Sequence, residues 1–198
     1  MVIAETERLI LRQFSWDDLD NLAAIKSDPQ VMRYIGAGTP LTREQVRDIL
    51  GRWIEDGEHA WPAERLQRLP QLRRATERHA HFSSWAVIQK ATGEMMGRCG
   101  LLAWNLDGQL EVEVGYVLGR PFWGRGFATE AAMAARDYGM DRLGFDRLIA
   151  IILPQNTASQ RVAQKMGMQH EKDTAVKNLP VNIFSITRAY RDELNRIA

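Results

Sequence analysis

Two spacings of apolar residues alternate along the chain, and together they predict alternating helices and strands. The segments 15–25, 42–54, 127–143 and 156–166 place an apolar residue at every third or fourth position, the spacing of one helical face. Residues 148–153 are instead continuously apolar, as in a parallel strand that is buried on both faces. The pattern therefore predicts a fold of the α/β class.

Shorter apolar runs between turn residues predict the remaining strands. Two hairpins are expected, one turning at 91–94 and the other at Asp107-Gly108. Ser15 and Thr42 are expected to cap two of the helices, and Gly144 is expected to end a third. The predicted strands are 8–14, 82–88, 95–104, 109–118, 148–153, 168–174 and 181–187.

The composition limits the class of protein without identifying it. The 198 residues are 45% hydrophobic, which suits one domain, 1–198, with a sizeable core. The formal net charge of +1 argues against general nucleic-acid binding. Cys99 is the only cysteine, so neither a disulfide framework nor a thiolate metal cluster is expected, and no metal site is predicted. The first ten residues do not resemble a signal peptide, and no apolar run is long enough to span a membrane. The sequence therefore predicts a cytoplasmic protein.

A glycine-rich turn joins the strand 109–118 to the helix that begins near Phe127. Gly124 and Gly126 carry no Cβ, so the backbone there can turn sharply and approach a ligand closely. The first N–H groups of the following helix point outward without partners, and a pyrophosphate fits such a site. A plain strand–turn–helix connection has the same pattern. Neither GKS or GKT nor a full G-x-G-x-x-G is present, which excludes a nucleotide P-loop and a Rossmann dinucleotide site.

Residues 113–116 (EVGY), followed by 123–128 (WGRGFA), resemble the acyl-CoA signature of the GNAT N-acetyltransferases. More narrowly, they resemble the branch that contains the ribosomal-protein N-terminal acetyltransferases, and the resemblance extends from Thr6 to about Arg188. Trp123 stands where the commoner family pattern has Gln or Arg. The resemblance implies an α/β GNAT fold, with a mixed central sheet of about seven strands, helices on both faces and one splayed pair of parallel strands.

The resemblance also implies that acetyl-CoA is a co-substrate, and it assigns residues to it. In GNAT folds, the exposed backbone of the first splayed strand pairs with pantetheine as a further β-strand does. Asn156 is expected to contact pantetheine or the thioester. The other implied contacts are Tyr116, Val117 and Leu118 for pantetheine, and Trp123, Gly124, Arg125, Gly126, Phe127, Ala128 and Thr129 for the pyrophosphate.

The implied reaction is direct attack of a primary amine on the acetyl thioester, without an acyl-enzyme. Such a reaction needs a group that accepts the amine proton, and Glu113 is the candidate, directly or through a water molecule. Burial beside a second carboxylate, that of Glu111, is expected to raise the pKa of Glu113, although Glu111 itself is predicted to be exposed. A structural carboxylate that holds a loop is the alternative interpretation of Glu113.

The group that protonates the leaving thiolate is expected in the helix after the last parallel strand. Many GNAT enzymes carry a tyrosine there, near the position of Ala163, and this chain does not. The branch that it resembles has N-x-x-S instead, which Asn156 and Ser159 match, so Ser159 is expected to hydrogen-bond the sulfur. An N-cap role is the alternative for Asn156, although Thr157 and Gln160 have the pattern of a better capping box.

The acceptor is expected to be a peptide or protein N-terminus first and a small-molecule amine second. In this family, the first two helices and their loop form one wall of the acceptor cleft, so Tyr34 and Ile35 are candidate substrate contacts, together with Trp104. Packing under the loop is the alternative for Tyr34 and Ile35. The missing tyrosine leaves open a different class, a CoA-binding sensor or interaction domain without catalysis. A monomer or a homodimer is expected, with no membrane partner.

An arginine-rich stretch at 61–80 has no counterpart in the resemblance. It contains five arginines and two glutamates, and Pro70 interrupts it. Two interpretations remain open. The stretch is either a solvated helical excursion or an insertion whose arginines bind an acidic acceptor or ribosomal RNA.

Overall fold

Eight strands form one mixed sheet, and the helices pack against it. A computed structural model of the chain describes residues 1–58 and 83–197. The arginine-rich stretch at 61–80 lies outside the described residues. The strands are β1 (Val2–Glu5), β2 (Leu9–Arg12), β3 (Ser84–Gln89), β4 (Met95–Leu106), β5 (Gln109–Leu118), β6 (Arg147–Ile152), β7 (Gln169–Val176) and β8 (Leu179–Thr187).

The strands lie in the order β1-β2-β3-β4-β5-β6-β8-β7, and in this described sheet β5 and β6 are the parallel pair. The sequence predicts seven of these strands and misses β1, because its four residues form a short edge strand with little apolar pattern. It also does not predict that β8 comes before β7 in the sheet. That order depends on pairing between distant segments.

Helices cover both faces of the sheet. They are α1 (Leu19–Lys26), α2 (Pro29–Met32), α3 (Arg43–Glu58), α4 (Phe127–Asp137), α5 (Thr157–Lys165) and α6 (Arg188–Ile197). Helix α6 is not predicted from the sequence, because half of its ten residues are charged and its apolar residues are few. It is held by Arg191, which is 5% exposed and whose guanidinium donates to Asp137 and Asp141. No described helix is both long and apolar enough to cross a membrane.

Two apolar clusters place the helices on opposite faces of the sheet. The larger cluster joins α4 and α5 to one face through residues such as Ala135 and Ala163. The second joins α1 and α3 to the other face through residues such as Leu22 and Leu50. Because side chains alternate along β5, Val114 points towards α4 and its neighbours at odd-numbered positions point towards α1 and α3.

The N-cap predicted at Thr42 is confirmed, and the one predicted at Ser15 lies one turn before α1. Ser15 caps a 3₁₀ turn that leads into α1, and its backbone N–H donates to Asp18 Oδ2 at 2.9 Å. Thr42 and Gln45 form a reciprocal capping box at the start of α3, with hydrogen bonds of 3.2 and 2.9 Å. Thr42 is therefore at the start of α3 as predicted, whereas Ser15 caps the preceding 3₁₀ turn and Asp18 is the N-cap of α1 itself.

The predicted helix 127–143 is divided in two. After α4, Tyr138–Arg142 form a π-helical turn. Gly139 lies in this turn against the sheet, where a Cβ would be 3.0 Å from Leu101 Cδ1. The wider turn accompanies a close approach of the backbone to the Leu101 side chain of β4, where a larger residue would have to displace that side chain. Gly144, with φ +82°, ends the helix as predicted.

The parallel pair β5–β6 is splayed, as predicted. Strands β4 and β5 are paired at ten positions, from Leu106 opposite Gln109 to Gly97 opposite Leu118. In contrast, the described pairing of β5 with β6 consists of Glu113 opposite Ile149. Beyond this point the strands separate, and backbone groups that face the gap can pair with an extended ligand.

Candidate active site

A cavity of about 510 Å³ opens where β5 and β6 separate. Its walls contain side chains from both faces of the sheet. Glu113 comes from the face of α1 and α3, and Tyr116 and Ser159 come from the face of α4 and α5. Tyr34 and Ile35, in the loop after α2, also line the cavity. The cavity therefore passes through the sheet, so two molecules can meet in it from opposite sides.

Glu113 is held in the gap between the two strands by groups from both sides. Trp104 Nε1 on β4 donates a hydrogen bond of 2.6 Å to Glu113 Oε2, and the backbone N–H of Ile151 on β6 donates to the same carboxylate. Burial raises the pKa of Glu113, and Trp104, Arg98 and Ile151 offset part of this shift. The predicted direction and the predicted effect of burial are right, but the expected contribution of a second carboxylate is not found among the described residues.

Glu111 was expected to be exposed beside Glu113, and this expectation is wrong. Its side chain is half-buried in an ion pair, with Arg147 Nε 3.1 Å from Glu111 Oε2. Arg147 Nη2 also lies 2.7 Å from Glu171 Oε2. One arginine on β6 thus neutralises carboxylates from β5 and β7. This pairing reflects the order of the strands, which the local sequence does not reveal.

Ser159 and Tyr116 form a pair of hydroxyl groups on the other side of the cavity. The Tyr116 hydroxyl donates to Ser159 Oγ at 3.1 Å. Burial raises the pKa of Tyr116 to about 12, so the phenol keeps its proton at neutral pH. The sequence predicts a role for the backbone of Tyr116 but not for this hydroxyl. The alternation of side chains along a strand does indicate it, because residues three apart, such as Glu113 and Tyr116, lie on opposite faces of the sheet. The side chain of Tyr116 is thus expected on the face opposite Glu113.

Asn156 is the N-cap of α5, the role that was the alternative to a contact with pantetheine or the thioester. Asn156 Oδ1 accepts a hydrogen bond of 3.2 Å from the backbone N–H of Ser159. The capping box expected from Thr157 and Gln160 does not form, because Gln160 Nε2 donates to Pro154 O instead. Asn156 also lines the cavity, and its amide nitrogen Nδ2 is a further donor there.

The glycine-rich turn has the backbone conformation that suits an anion site. Gly124 and Gly126 have φ values of +72° and +82°, in the left-handed region that favours glycine. Glu130 N donates the first hydrogen bond of α4, to Gly126 O at 3.0 Å. The N–H groups of 127–129 precede this bond and have no acceptor within the helix. A Cβ on Gly124 would meet nothing within 4 Å, so the turn is open to a ligand.

The aromatic side chains of the same turn have structural contacts. Phe127 is 2% exposed and belongs to the main apolar cluster, so only its backbone faces the site. Trp123 Nε1 donates to Leu118 O at 2.7 Å. This bond ties the turn to the end of β5. It also uses one of the two lone pairs of the carbonyl oxygen of Leu118, a residue that was expected to contact pantetheine.

Arg8 anchors the start of α4 and was not singled out from the sequence. Its Nε donates to Glu130 Oε2 at 2.6 Å, and its Nη1 donates to Arg125 O at 3.1 Å. Its guanidinium also lies 4.5 Å from the centroid of the Phe127 ring. The ion pair neutralises Glu130, which would otherwise repel an anion bound at the helix start.

Two further residues complete the wall on the face of α1 and α3. Trp104, a predicted substrate contact, lines the cavity with its indole N–H bonded to Glu113. Arg98 on β4 lines the same region, and the sequence gives no sign of it. An arginine in a strand is usually exposed, and its burial here depends on the packing of α1 and α3.

Comparison with known proteins identifies the family of this chain. The Acetyltransferase (GNAT) domain family matches residues 8–169, and the chain belongs to this family. It is 34% identical over 169 residues to the uncharacterized N-acetyltransferase p20 of Bacillus licheniformis, across 84% of this chain and 82% of that protein. It is also 40% identical over 102 residues to protein YkkB of Bacillus subtilis, a match that covers 52% of this chain and 59% of YkkB.

Solved structures share the fold. A GNAT-family acetyltransferase from Bacillus anthracis has a TM-score of 0.73 and 25% identity, covering 94% of this chain and 98% of that chain. RimL, a ribosomal L7/L12 alpha-N-protein acetyltransferase solved in complex with coenzyme A, has a TM-score of 0.67 and 15% identity, with the same two coverages. The second likeness shows the fold alone. Together the matches confirm the predicted fold and the enzyme class, an acetyl-CoA-dependent acetyltransferase.

Proposed function

We propose that this enzyme transfers the acetyl group of acetyl-CoA to a primary amine by direct attack, without an acyl-enzyme. The observation that carries the proposal is the cavity at the splayed strands. Glu113 faces it from one side of the sheet, and the hydroxyl pair of Tyr116 and Ser159 faces it from the other. A proton acceptor and proton donors are thus separated by the gap into which a thioester fits.

The residues along the gap suit acetyl-CoA. Pantetheine is an extended chain with two amides, and it can pair with the free backbone of Tyr116 and Val117 as an additional strand does. The start of α4 offers N–H groups and the positive end of a helix dipole to the pyrophosphate. Asn156 Nδ2 adds a donor near the thioester end of this path.

Glu113 acts as the general base in this proposal. The acceptor amine loses a proton to the Glu113 carboxylate, directly or through water, and its nitrogen lone pair attacks the carbonyl carbon of the thioester. The C–N bond forms while the carbonyl electrons move to oxygen. Because burial raises the pKa of Glu113, its carboxylate is a better proton acceptor near neutral pH than an exposed one.

Ser159 and Tyr116 act on the leaving group. When the C–S bond breaks, its electron pair remains on sulfur, and the thiolate needs a proton or a hydrogen bond. Tyr116 donates to Ser159 Oγ, which leaves the hydroxyl hydrogen of Ser159 free to point at the sulfur. As the intermediate collapses, the nitrogen gives up its second proton, which reaches the sulfur through the Ser159 hydroxyl. The products are therefore the acetylated amine and coenzyme A with its thiol restored, and Glu113 returns the first proton to solvent.

The test is CoA release by the purified protein with a broad panel of primary amines. Glu113→Gln is expected to lower kcat by about 100- to 10,000-fold while acetyl-CoA affinity stays nearly unchanged. Wild-type turnover should fall as the pH drops through the raised pKa of Glu113, because the base becomes protonated. The turnover of the variant should not show this decrease at low pH.

Glu94→Gln, in the exposed turn between β3 and β4, is the matched control and should keep wild-type kinetics. A loss smaller than about tenfold at saturating acceptor would show that Glu113 is structural. If the wild-type protein binds acetyl-CoA but no amine releases CoA, the proposed transfer itself is wrong.

A further inference from the structure

Arg98 is a cation in the cavity wall, and the described residues supply no direct ion-pair partner for it. Protein atoms surround its side chain, which keeps part of its surface open to the cavity. Among the described residues, no carboxylate oxygen lies within 4.0 Å of its guanidinium. Its Nη1 is 3.4 Å from Ser84 Oγ, and its Nε is inaccessible and makes no hydrogen bond. A guanidinium stays charged near neutral pH, so this burial costs free energy unless an anion completes the site.

A second buried cation lies behind Arg98. Lys26 on α1 is 4% exposed, and its pKa is lowered to about 8 by burial and by the positive charge of Arg98. Both cations face the ring of Trp53, at 5.7 Å from Lys26 Nζ and 5.6 Å from the Arg98 guanidinium carbon. An aromatic ring attracts cations but carries no net charge. It therefore offsets only part of the cost.

The charges around Arg98 leave one positive charge in excess. Among the described residues, Arg98 and Lys26 contribute two positive charges, and Glu113, when ionised, is the one carboxylate whose charge acts on Arg98. Asp18, also buried near α1, is already paired with Arg12 through two hydrogen bonds of 2.7 Å. This part of the described cavity is therefore short of one negative charge.

Gly115 lies between the cation and the candidate base. A Cβ at Gly115 would lie 3.1 Å from Leu102 Cδ1, 3.5 Å from Arg98 Nη1 and 3.7 Å from Glu113 Cδ, so the two charged groups approach each other closely at this glycine. Because both groups also line the cavity, one small molecule in the cavity can contact the two of them. A ligand that contacts both has an anionic group and an amine separated by only a few bonds.

We infer that the acceptor is a small molecule with a carboxylate close to its primary amine, as in a free amino acid, and that Arg98 binds this carboxylate. The inference rests on the proposed function, because it assumes that Glu113 accepts the amine proton. A peptide N-terminus has a neutral amide where an amino acid has its carboxylate, and it would leave Arg98 unpaired. A polyamine would add positive charge to a site that already has an excess.

The experiment compares free amino acids with their amides, matched pair by pair, for example glycine, alanine, serine and β-alanine. CoA release gives kcat/KM, and ligand-observed NMR with CoA present gives binding. The acids should exceed the amides at least about tenfold in both measurements. Arg98→Met should abolish this preference, and Arg98→Lys, which keeps the charge, should restore part of it.

Arg47→Met, an exposed arginine on α3, is the matched control and should keep the full preference. Melting curves should show that Arg98→Met is at least as stable as wild type, because the variant removes an unpaired buried charge. Equal or tighter binding of the amides by wild-type protein would overturn the inference, whether or not turnover occurs. Selective binding of acids without any CoA release would instead contradict the proposed function.

Discussion

At the scale of single residues, two positions on β5 face the two sides of the cavity, and the proposed reaction uses both. Glu113 and Tyr116 are three residues apart, so they project from opposite faces of the sheet. Each is oriented by a partner on a different element, Glu113 by Trp104 of β4 and Tyr116 by Ser159 of α5. The hydrogen bonds hold the side chains in place before any substrate enters, so little reorganisation is needed during the reaction.

Ser159 and Tyr116 should behave as one unit in kinetics. Ser159→Ala removes the group next to sulfur and is expected to lower kcat and kcat/KM together, with little change in the KM for acetyl-CoA. Tyr116→Phe removes only the hydroxyl that supports Ser159, so its loss should be smaller. The double variant should lose no more than Ser159→Ala alone, because Tyr116 acts through the serine.

Tyr190→Phe is the control for the loss of a phenol, since the Tyr190 hydroxyl accepts a hydrogen bond from Gln169 on the protein surface. It should leave both constants unchanged. Full turnover in Ser159→Ala would mean that water or another group protonates the thiolate. Additive losses in the double variant would mean that Tyr116 contacts the reacting atoms independently.

At the scale of elements, the start of α4 is the part on which cofactor binding should depend most. Gly126 is the N-cap of α4 with φ +82°, and the open helix amides follow it directly. The position is held by Arg8, through its bonds to Glu130 and Arg125. Its geometry is thus maintained by contacts outside the turn.

Gly126→Ala is expected to weaken acetyl-CoA binding, because a methyl group would stand where the pyrophosphate approaches the backbone. Gly144→Ala is the matched control, since Gly144 has the same φ of +82° and ends the helical segment far along the chain. Both variants should lose about 1 kcal/mol of unfolding free energy from left-handed strain. In calorimetric titration, only Gly126→Ala should lose affinity. Equal affinities in the two folded variants would contradict the pyrophosphate assignment.

At the scale of the whole molecule, the features that the sequence predicts are those set by neighbouring residues. The bounds of β5 are predicted correctly because Asp107 and Gly108 form a two-residue turn, with φ values of +53° and +80°. The same turn determines the register in which Trp104 lies opposite Glu111. The Trp104–Glu113 hydrogen bond joins the diagonal neighbours of that register, so it could have been derived.

The features that the sequence does not predict depend on distant segments. Lys26 and Arg98 are each ordinary charged residues in their own segments, and only the packing of α1 against β4 makes them buried neighbours. Arg147 pairs with Glu111 because β6 follows β5 in the sheet. The roles of these three residues are consequences of tertiary structure, which local patterns do not contain.

The burial of Lys26 should give the whole molecule a measurable dependence of stability on pH. Its pKa is 10.5 when exposed and about 8 in the fold. Below pH 8 the lysine is charged in both states, so the folded state bears the full cost of burying it. Between these values only the unfolded chain holds the proton, and the cost disappears as the pH rises.

Lys26→Met should therefore raise the unfolding free energy at pH 7 by on the order of 1 to 3 kcal/mol, and the gain should vanish near pH 10.5. Cys99 and Tyr116, whose pKa values burial raises to about 12, also affect stability at high pH. They act equally in both proteins, so the difference between wild type and variant isolates Lys26. Lys165→Met, an exposed lysine on α5, should show no such dependence in chemical denaturation at each pH. A variant that is less stable than wild type at pH 7 would show that Lys26 has a favourable partner in the fold, and that the positive charge around Arg98 is not in excess.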